Sequence, residues 1–371
     1  MKNLFFYGTL RHIPLLEVVL GKTAATLNIT TATLPDHAVM AVAEGPFPMI
    51  VEAPGVAAQG ILLCQLTEDD IARLTYYEGG FDYDLRAVTL ASGEEAEVFF
   101  PTHGAWTEDG LWDLEAWIAA WGAPNLYAAR EIMDGYGRIP VAEVTRWHDR
   151  IRARAWSAHL AQTTGRHGAG TLNGRVEILE RLRTYSKFFA LDDIVLRHET
   201  FDGDMTEALE RAVFVSSDAA IVLPYDPARD LVLLVEQVRL GPLARNDPHL
   251  WQFEPVAGLI DPGETSQDAA HREAWEEARL RFDALEAVGQ CYASPGAATD
   301  FFHLFVGLCD LPDGTAGIGG EACEGENIRS HVMPFDQLMA MAEARETANA
   351  PLTLLTYWLA HHRTRLRRLG A

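Results

Sequence analysis

The chain has 371 residues, 53 acidic and 30 basic side chains, and a formal net charge of −23. That length exceeds one ordinary core and predicts two domains, and 48% hydrophobic with 22% charged residues describes a soluble globular protein. So strong an acidic excess argues against nucleic acid or an anionic membrane as partner, and no apolar run reaches the roughly 18 residues a bilayer span needs.

Residues 1–105 read as short strands and turns. Leu4–Tyr7, Gly60–Leu66 and Ala96–Phe100 are apolar, β-prone runs bounded by turn residues. One helix interrupts them, with Thr67 as N-cap and Asp70 at the capping-box distance ahead of Ile71, Leu74 and Tyr77. From Leu111 to about Gln162 the pattern turns helical, with Leu114, Trp117, Ile118 and Trp121 on one stripe. Three glycines between Thr163 and Thr171 mark an interdomain linker over 163–174. A second α+β pattern follows. Strands are predicted at Ala219–Pro224, Leu231–Val238, Ala284–Tyr292, Phe301–Leu308 and Ile328–Met333. Helices are predicted at Thr265–Leu280 and Ala350–Arg368, the latter capped by Asn349 with Pro351 in its first turn. Its arginines, Arg363, Arg365, Arg367 and Arg368, suit the negative end of the helix dipole.

Cys64, Cys291, Cys309 and Cys323 lie far apart without a CxxC pair. Neither a zinc site nor a disulfide framework is expected, and a reducing cytoplasm is the natural setting. The apolar opening at Leu4-Phe5-Phe6 is too short for a signal peptide.

The chemistry concentrates in Gly258-Leu-Ile-Asp-Pro-Gly-Glu264, followed after seven residues by Arg272-Glu273-Ala-Trp-Glu276-Glu277. Glu273, Glu276 and Glu277 stand at i, i+3 and i+4, so they share one helix face. Like charges so close repel unless a cation sits among them. An all-oxygen donor set favours Mg²⁺, or Mn²⁺, over zinc. Arg272 and Glu264 can pair across the loop and brace the ligands. Gly258 and Gly263 permit a tight loop that could offer a backbone carbonyl, such as that of Ala257, to the metal.

These residues resemble the Nudix box, Gly-x5-Glu-x7-Arg-Glu-U-x-Glu-Glu-x-Gly-U, with Arg279 in place of the late glycine and small Ala274 at a bulky position. The flanks, Leu223–Pro227, Val235–Arg239, Phe253–Gly258 and Ser294-Pro295-Gly296, resemble the ADP-ribose pyrophosphatase branch over about residues 185–365. The resemblance implies metal-dependent hydrolysis of ADP-ribose to AMP and ribose 5-phosphate. Glu273, Glu276, Glu277 and Ala257 would hold the metal, and Glu276 falls within the catalytic machinery. It places Glu324, in Glu324-Gly-Glu326-Asn-Ile-Arg329, as catalytic base or further metal contact, with Glu326 in reserve. Arg239, Arg211 and Pro295 match substrate positions, and Phe188 matches an adenine-stacking position or else is core. Relatives of this branch dimerise, partly by exchanging N-terminal strands, which implies a homodimer through this half. Some are linked to tellurite resistance. Two alternatives stay open: another nucleotide sugar or dinucleotide as substrate, and a regulator that binds ADP-ribose without turnover.

Leu4-Phe-Phe-Tyr7-Gly8-Thr9-Leu10 and Leu74-Thr-Tyr-Tyr77-Glu78-Gly-Gly-Phe-Asp-Tyr83 resemble γ-glutamylcyclotransferase-like (AIG2-like) proteins over about residues 3–102. By that resemblance the turn Tyr7-Gly8-Thr9-Leu10 binds the γ-glutamyl head group and Glu78 is the catalytic glutamate. Tyr7 and Leu10 as core residues, and Glu78 as a helix-end group, are the alternatives. The fold expected is therefore α+β in two domains. Residues 1–162 form a γ-glutamylcyclotransferase-like mixed β-barrel with a helical extension, and residues 175–371 form a Nudix α/β/α sandwich.

Overall fold

A computed structural model describes residues 2–79, 83–102, 104–164, 170–320 and 327–369. The chain separates into two compact units, Met1–Ala212 and Val213–Ala371.

The first unit opens with β1 (Lys2–Phe6), α1 (Ile13–Leu20), β2 (Asn28–Val42), β3 (Gly45–Leu66), α2 (Glu68–Glu78), β4 (Tyr83–Thr89), β5 (Glu95–Pro101) and β6 (Glu108–Leu111). The six strands form one sheet in the order β4-β5-β1-β3-β2-β6. β1 lies inside it, antiparallel to β3 and parallel to β5. Both faces of β1 are covered, which is why it reads as an unbroken apolar run. Leu4 and Phe6 join a core with Leu15, Leu16 and Leu74, while Phe5 and Tyr7 join another with Leu34, Ile50 and Val98. The period of two along a strand thus divides one short segment between two cores. The predicted capping box of α2 is present, with Thr67 and Asp70 bonding reciprocally. The predicted strand at Gly60–Leu66 is only the last third of β3. Pro46, Pro48, Pro54 and Gly55 mask the rest, although the paired strands run on past them with a shift between Pro35 and His37.

A helical stretch follows: α3 (Leu114–Trp117), a π-turn over Ile118–Gly122, α4 (Ala123–Asp134), α5 (Val141–Arg146) and α6 (His148–Thr163). Beyond the glycine-rich segment come β7 (Val176–Ser186), β8 (Ala190–His198) and β9 (Leu209–Val215), a separate three-stranded sheet. Sequence reading assigned residues 175–212 to the second domain, yet they cluster with the first unit. The cause is a buried ionic knot. Glu131 of α4 accepts from Arg154 Nη2 of α6 at 2.5 Å and from Ser186 Oγ at 2.6 Å, and it also pairs with Arg183 of β7. Arg183 in turn grips Asp192 of β8 through Nε at 2.6 Å and Nη2 at 3.1 Å. Asp192 is 1% exposed, and although burial opposes its charge, Arg183 and Arg181 hold its carboxyl below the usual range.

The second unit contains β10 (Ala219–Asp226), β11 (Leu231–Val238), α7 (Leu240–Arg245), β12 (Trp251–Glu254), β13 (Val256–Leu259), α8 (Ser266–Ala278), β14 (Ala284–Tyr292), β15 (Phe301–Leu308), β16 (Ile318–Gly319), β17 (Ile328–Pro334), α9 (Phe335–Glu343) and α10 (Ala350–Leu369). Its sheet runs β14-β15-β10-β11-β17-β16, with β12 beside β11 and β13 beside β10. Ile221, Leu223 and Tyr225 of β10 pack with Leu338 of α9 and with Leu352, Leu355 and Leu359 of α10. Ala220 and Val222 are equally buried, and α8 packs on β10 and β13. The result is the expected sandwich of helices about a mixed sheet. Asn349 caps α10 as predicted, its Oδ1 accepting from Leu352 N at 2.9 Å. The late arginines do more than face a dipole: Arg363 pairs with Asp230 and Asp336, and Arg365 with Glu286.

Candidate active sites

In the second unit β13 delivers the glycine loop and α8 the carboxylates. Thr265 starts α8 by accepting from Asp268 N at 3.1 Å, and Gly263 takes φ +89° in the loop before it. Arg272 is the hub. Its Nε and Nη2 reach the two oxygens of Glu264, each at 2.9 Å. Nη2 also donates to Leu259 O at 2.9 Å, and Nη1 to Glu273 at 2.6 Å and Glu276 at 3.1 Å. All five guanidinium protons are thereby spent on ordering the loop and two ligand candidates. Glu264 closes the loop in addition, accepting from Asp261 N at 3.1 Å.

Gly258 matters for its missing side chain. A β-carbon there would lie 1.8 Å from Glu273 Oε1. Glu277 is 3% exposed and accepts from Ala257 N at 3.4 Å. A carboxylate this deep demands compensation, and the all-oxygen donors here are those a hard divalent cation takes. Among the described residues no three acidic, His or Cys groups are already drawn together in metal-holding geometry. Instead Arg272 brings Glu273 and Glu276 together, and Glu277 turns to the β13 backbone. Arg279 ends α8 at φ +55°, in the left-handed region where the resembled box carries glycine.

The other expected residues are placed as follows. Arg239 follows β11 and its Nε donates to Glu254 Oε2 at 2.6 Å, while burial raises the Glu254 carboxyl. Pro295 is exposed in a turn closed by Ala297 N and Ala298 N donating to Ser294 O. Arg211 is exposed on β9 and donates to Glu210 O at 2.7 Å. Phe188, in the β7–β8 turn, is 40% exposed, so it is not core. Arg150 of α6 lies 4.2 Å over its ring, and Arg154 donates to its carbonyl at 3.0 Å. Glu324 and Glu326 lie outside the described residues.

In the first unit a cavity of about 300 Å³ is lined by the turn Tyr7-Gly8-Thr9-Leu10 and by Glu78. β1 runs straight into that turn, and Glu78 is the last residue of α2. Gly8 passes so close to Pro48 that a β-carbon would sit 2.9 Å from its Cγ. Leu10 is 2% exposed and serves the core as well as the cavity wall. Tyr7 donates to Phe99 O at 3.0 Å, and burial keeps Tyr7 and Tyr77 neutral phenols. The same enclosure lifts the Glu78 carboxyl from 4.5 to about 7, where it can take and return a proton near neutrality. Sequence reading missed the rest of the wall: Glu44, Trp106, Asn125, His148, Asp149 and Arg152. The i, i+4 pair His148 and Arg152 on one predicted helix was the available signal.

A glycine loop, an arginine-braced acidic helix and a mixed sheet between helices define a Nudix hydrolase domain. The NUDIX domain family model matches residues 216–355, and the model for γ-glutamyl cyclotransferase, AIG2-like, matches residues 4–123. The chain is 38% identical to the ADP-ribose pyrophosphatase of Escherichia coli (strain K12) over 192 residues, 52% of this chain and 91% of that protein. It is 36% identical to the ADP-ribose pyrophosphatase of Haemophilus influenzae over 164 residues, 44% of this chain and 75% of that protein. It is 29% identical to the GDP-mannose pyrophosphatase of Cronobacter sakazakii over 180 residues, 48% of this chain and 92% of that protein. The chain belongs to the Nudix family.

Proposed function

We propose that the second unit is a Mg²⁺-dependent pyrophosphatase that hydrolyses ADP-ribose, or a closely related nucleoside diphosphate sugar, to AMP and ribose 5-phosphate. The observation that carries this reading is the Arg272 hub, which holds Glu264, Glu273 and Glu276 in one array. Glu273, Glu276, Glu277 and the Ala257 carbonyl would hold Mg²⁺ or Mn²⁺, which when bound neutralises the diphosphate and polarises its oxygens. Arg239 supplies a cationic fork for the phosphates, and Glu254 aims it. Pro295, in the same unit, shapes the sugar side. Glu324, or Glu326, takes the proton of the attacking water. The identities to two ADP-ribose pyrophosphatases support this substrate over GDP-mannose. The test is a nucleotide-sugar panel with and without Mg²⁺, with products resolved. Release of AMP from ADP-ribose only with the metal, lost in Glu277→Gln, is the expected result. A metal-independent or undiminished rate in that variant overturns the assignment.

The first unit is read as a γ-glutamylcyclotransferase, on the strength of Glu78 facing one cavity with the Tyr7–Leu10 turn. Backbone amides after Tyr7 hold the γ-glutamyl head group. Glu78 takes a proton from its α-amine, which attacks the γ-carbonyl, expels the amine and leaves 5-oxoproline. Formation of 5-oxoproline from a γ-glutamyl amine, absent in Glu78→Gln, tests it. A homodimer is also proposed, supported by the exposed Val176, Ile178 and Leu182 on β7. Light scattering that finds a monomer would refute it. Cys64, Cys291 and Cys309 are unpaired thiols, in keeping with a cytoplasmic setting, and no helix among the described residues is long and apolar enough to cross a membrane.

A further inference from the structure

We propose that a cavity at the C-terminal end of α8 binds a nucleoside monophosphate, with Arg279 and Arg281 on its phosphate and Trp275 against its base.

The cavity encloses about 580 Å³, within the range of small-molecule sites. Trp275, Arg279 and Arg281 line it from α8 and the residues just beyond, and Pro312, Thr315 and Ile318 line it from the segment that enters β16. That segment packs directly on the last turn of α8, since a β-carbon on Gly319 would lie 2.3 Å from Glu277 O. Trp275 stands two residues on from Glu273, about 200° around the helix, and Arg279 follows one turn later. The cavity thus opens on a different flank of α8 from the acidic array. Of that array only Glu277 borders it, and the Glu277 carboxylate accepts from Ala257 N at 3.4 Å.

Arg279 holds φ +55°, a conformation that glycine adopts freely and arginine only at a cost. A side chain kept at such a position calls for something that it contacts. The side chains of Arg279 and Arg281 make no ion pair or hydrogen bond with any described residue, and each guanidinium lies over the Trp275 ring, at 5.6 and 5.0 Å. The negative end of the helix dipole accounts for their being basic, but it leaves their N–H donors without a protein acceptor. The indole between them is 44% exposed. Asp310 is the one exposed carboxylate bordering the cavity, and the two arginines outnumber it.

A phosphate monoester carries about −1.5 to −2 charge near neutral pH and takes planar guanidinium forks, so two arginines match one such group. An exposed indole flanked by guanidinium planes is a stacking surface for a nucleobase. Inorganic phosphate would use only the cations and a nucleoside only the indole. A nucleoside monophosphate uses both.

The test is calorimetric titration of the full chain with AMP, ribose 5-phosphate and adenosine, with divalent metal chelated. The wild type should bind AMP about tenfold more tightly than ribose 5-phosphate, the worth of stacking one base, and more tightly than adenosine. Arg281→Gln and Arg279→Gly should each weaken AMP by about 10- to 100-fold, as expected for loss of a charge-assisted contact. Glycine suits the backbone at 279, and a thermal unfolding curve on the same sample separates lost binding from lost fold. Trp275→Leu should erase the preference for AMP over ribose 5-phosphate. Arg239→Gln, which alters the cationic fork assigned to the catalytic diphosphate, should leave this binding unchanged. AMP binding that is lost in Arg239→Gln and kept in Arg279→Gly and Arg281→Gln would place the nucleotide in the catalytic site and overturn the proposal. So would equal wild-type affinity for AMP and ribose 5-phosphate, or no binding of AMP at millimolar concentration. None of these outcomes touches the metal-dependent hydrolysis, which is measured separately.

Discussion

The carboxylate of Glu273 lies so near the backbone of Gly258 that a single added methyl group would meet Oε1 at 1.8 Å. Backbone and ligand candidate are thus fitted to each other across the loop that joins β13 to α8. Gly258→Ala should displace Glu273 and weaken the apparent Mg²⁺ affinity of nucleotide-sugar hydrolysis by roughly 10- to 100-fold, the usual effect of disturbing a ligand's support. A metal titration of the rate reads it. An unchanged Mg²⁺ dependence would detach Glu273 from the metal.

Arg272→Lys keeps the charge but replaces five fixed donors with one ammonium. Glu264 would lose its two-pronged partner and Leu259 O its donor. Stability should fall by about 1–3 kcal/mol and activity by at least tenfold. Urea unfolding and steady-state rates on one preparation separate the two losses.

Glu78 links pH to both activity and stability. As a base it must be ionised, so 5-oxoproline formation should rise with pH, with a midpoint near the carboxyl's value of about 7. For stability the sign is opposite to that of a salt-bridged acid. The folded state holds the proton more tightly than the unfolded chain, so this contribution is fully present below about pH 4.5 and is lost as pH rises through 7. Glu78→Gln removes that loss. It should unfold at higher urea than wild type at pH 8, by roughly 1–3 kcal/mol, and lose the advantage near pH 4. Equal pH dependence in the two proteins would place Glu78 in water.

Glu131 gathers Arg154, Arg183 and Ser186 out of solvent. Glu131→Ala leaves two guanidinium groups without that partner and should cost about 3–5 kcal/mol, with the fluorescence of Trp147 and Trp156 on the adjoining helices reporting the transition. A loss below about 1 kcal/mol would mean that water already reaches the knot.

Arg279 sits at φ +55° with its guanidinium 5.6 Å from the Trp275 ring. Glycine relieves about 1 kcal/mol of left-handed strain, so Arg279→Gly should raise the melting temperature by a few degrees without altering hydrolysis. A lower melting temperature would show that the contact with Trp275 outweighs the strain.

The Nudix site was legible because its loop, its brace and its acidic face lie within residues 258–277, where spacing on one helix sets the geometry. Thr67 with Asp70, and Asn349, were legible for the same local reason. The cavity of the first unit was half legible. Tyr7–Leu10 and Glu78 sit in short motifs, but Arg152 reaches the wall only because α6 packs on α4, a placement that its i, i+4 spacing from His148 hints at without fixing. Glu131 was silent for the same cause, since its partner Arg183 lies 52 residues away. The missing two thirds of β3 has another origin: prolines suppress the strand signal while tolerating the pairing.

The two matched families leave residues 124–215 between them, and Glu131, Arg154, Arg183 and Asp192 all belong to that interval. Ancestry and architecture therefore draw different borders in this chain. Scissors applied at the glycines would leave Arg154 with Glu131 but part both from Arg183 and Ser186, so neither half expressed from that cut is a faithful miniature of the whole. The stitch of charge that ties β7 and β8 to α4 and α6 lies downstream of the first matched segment and upstream of the second.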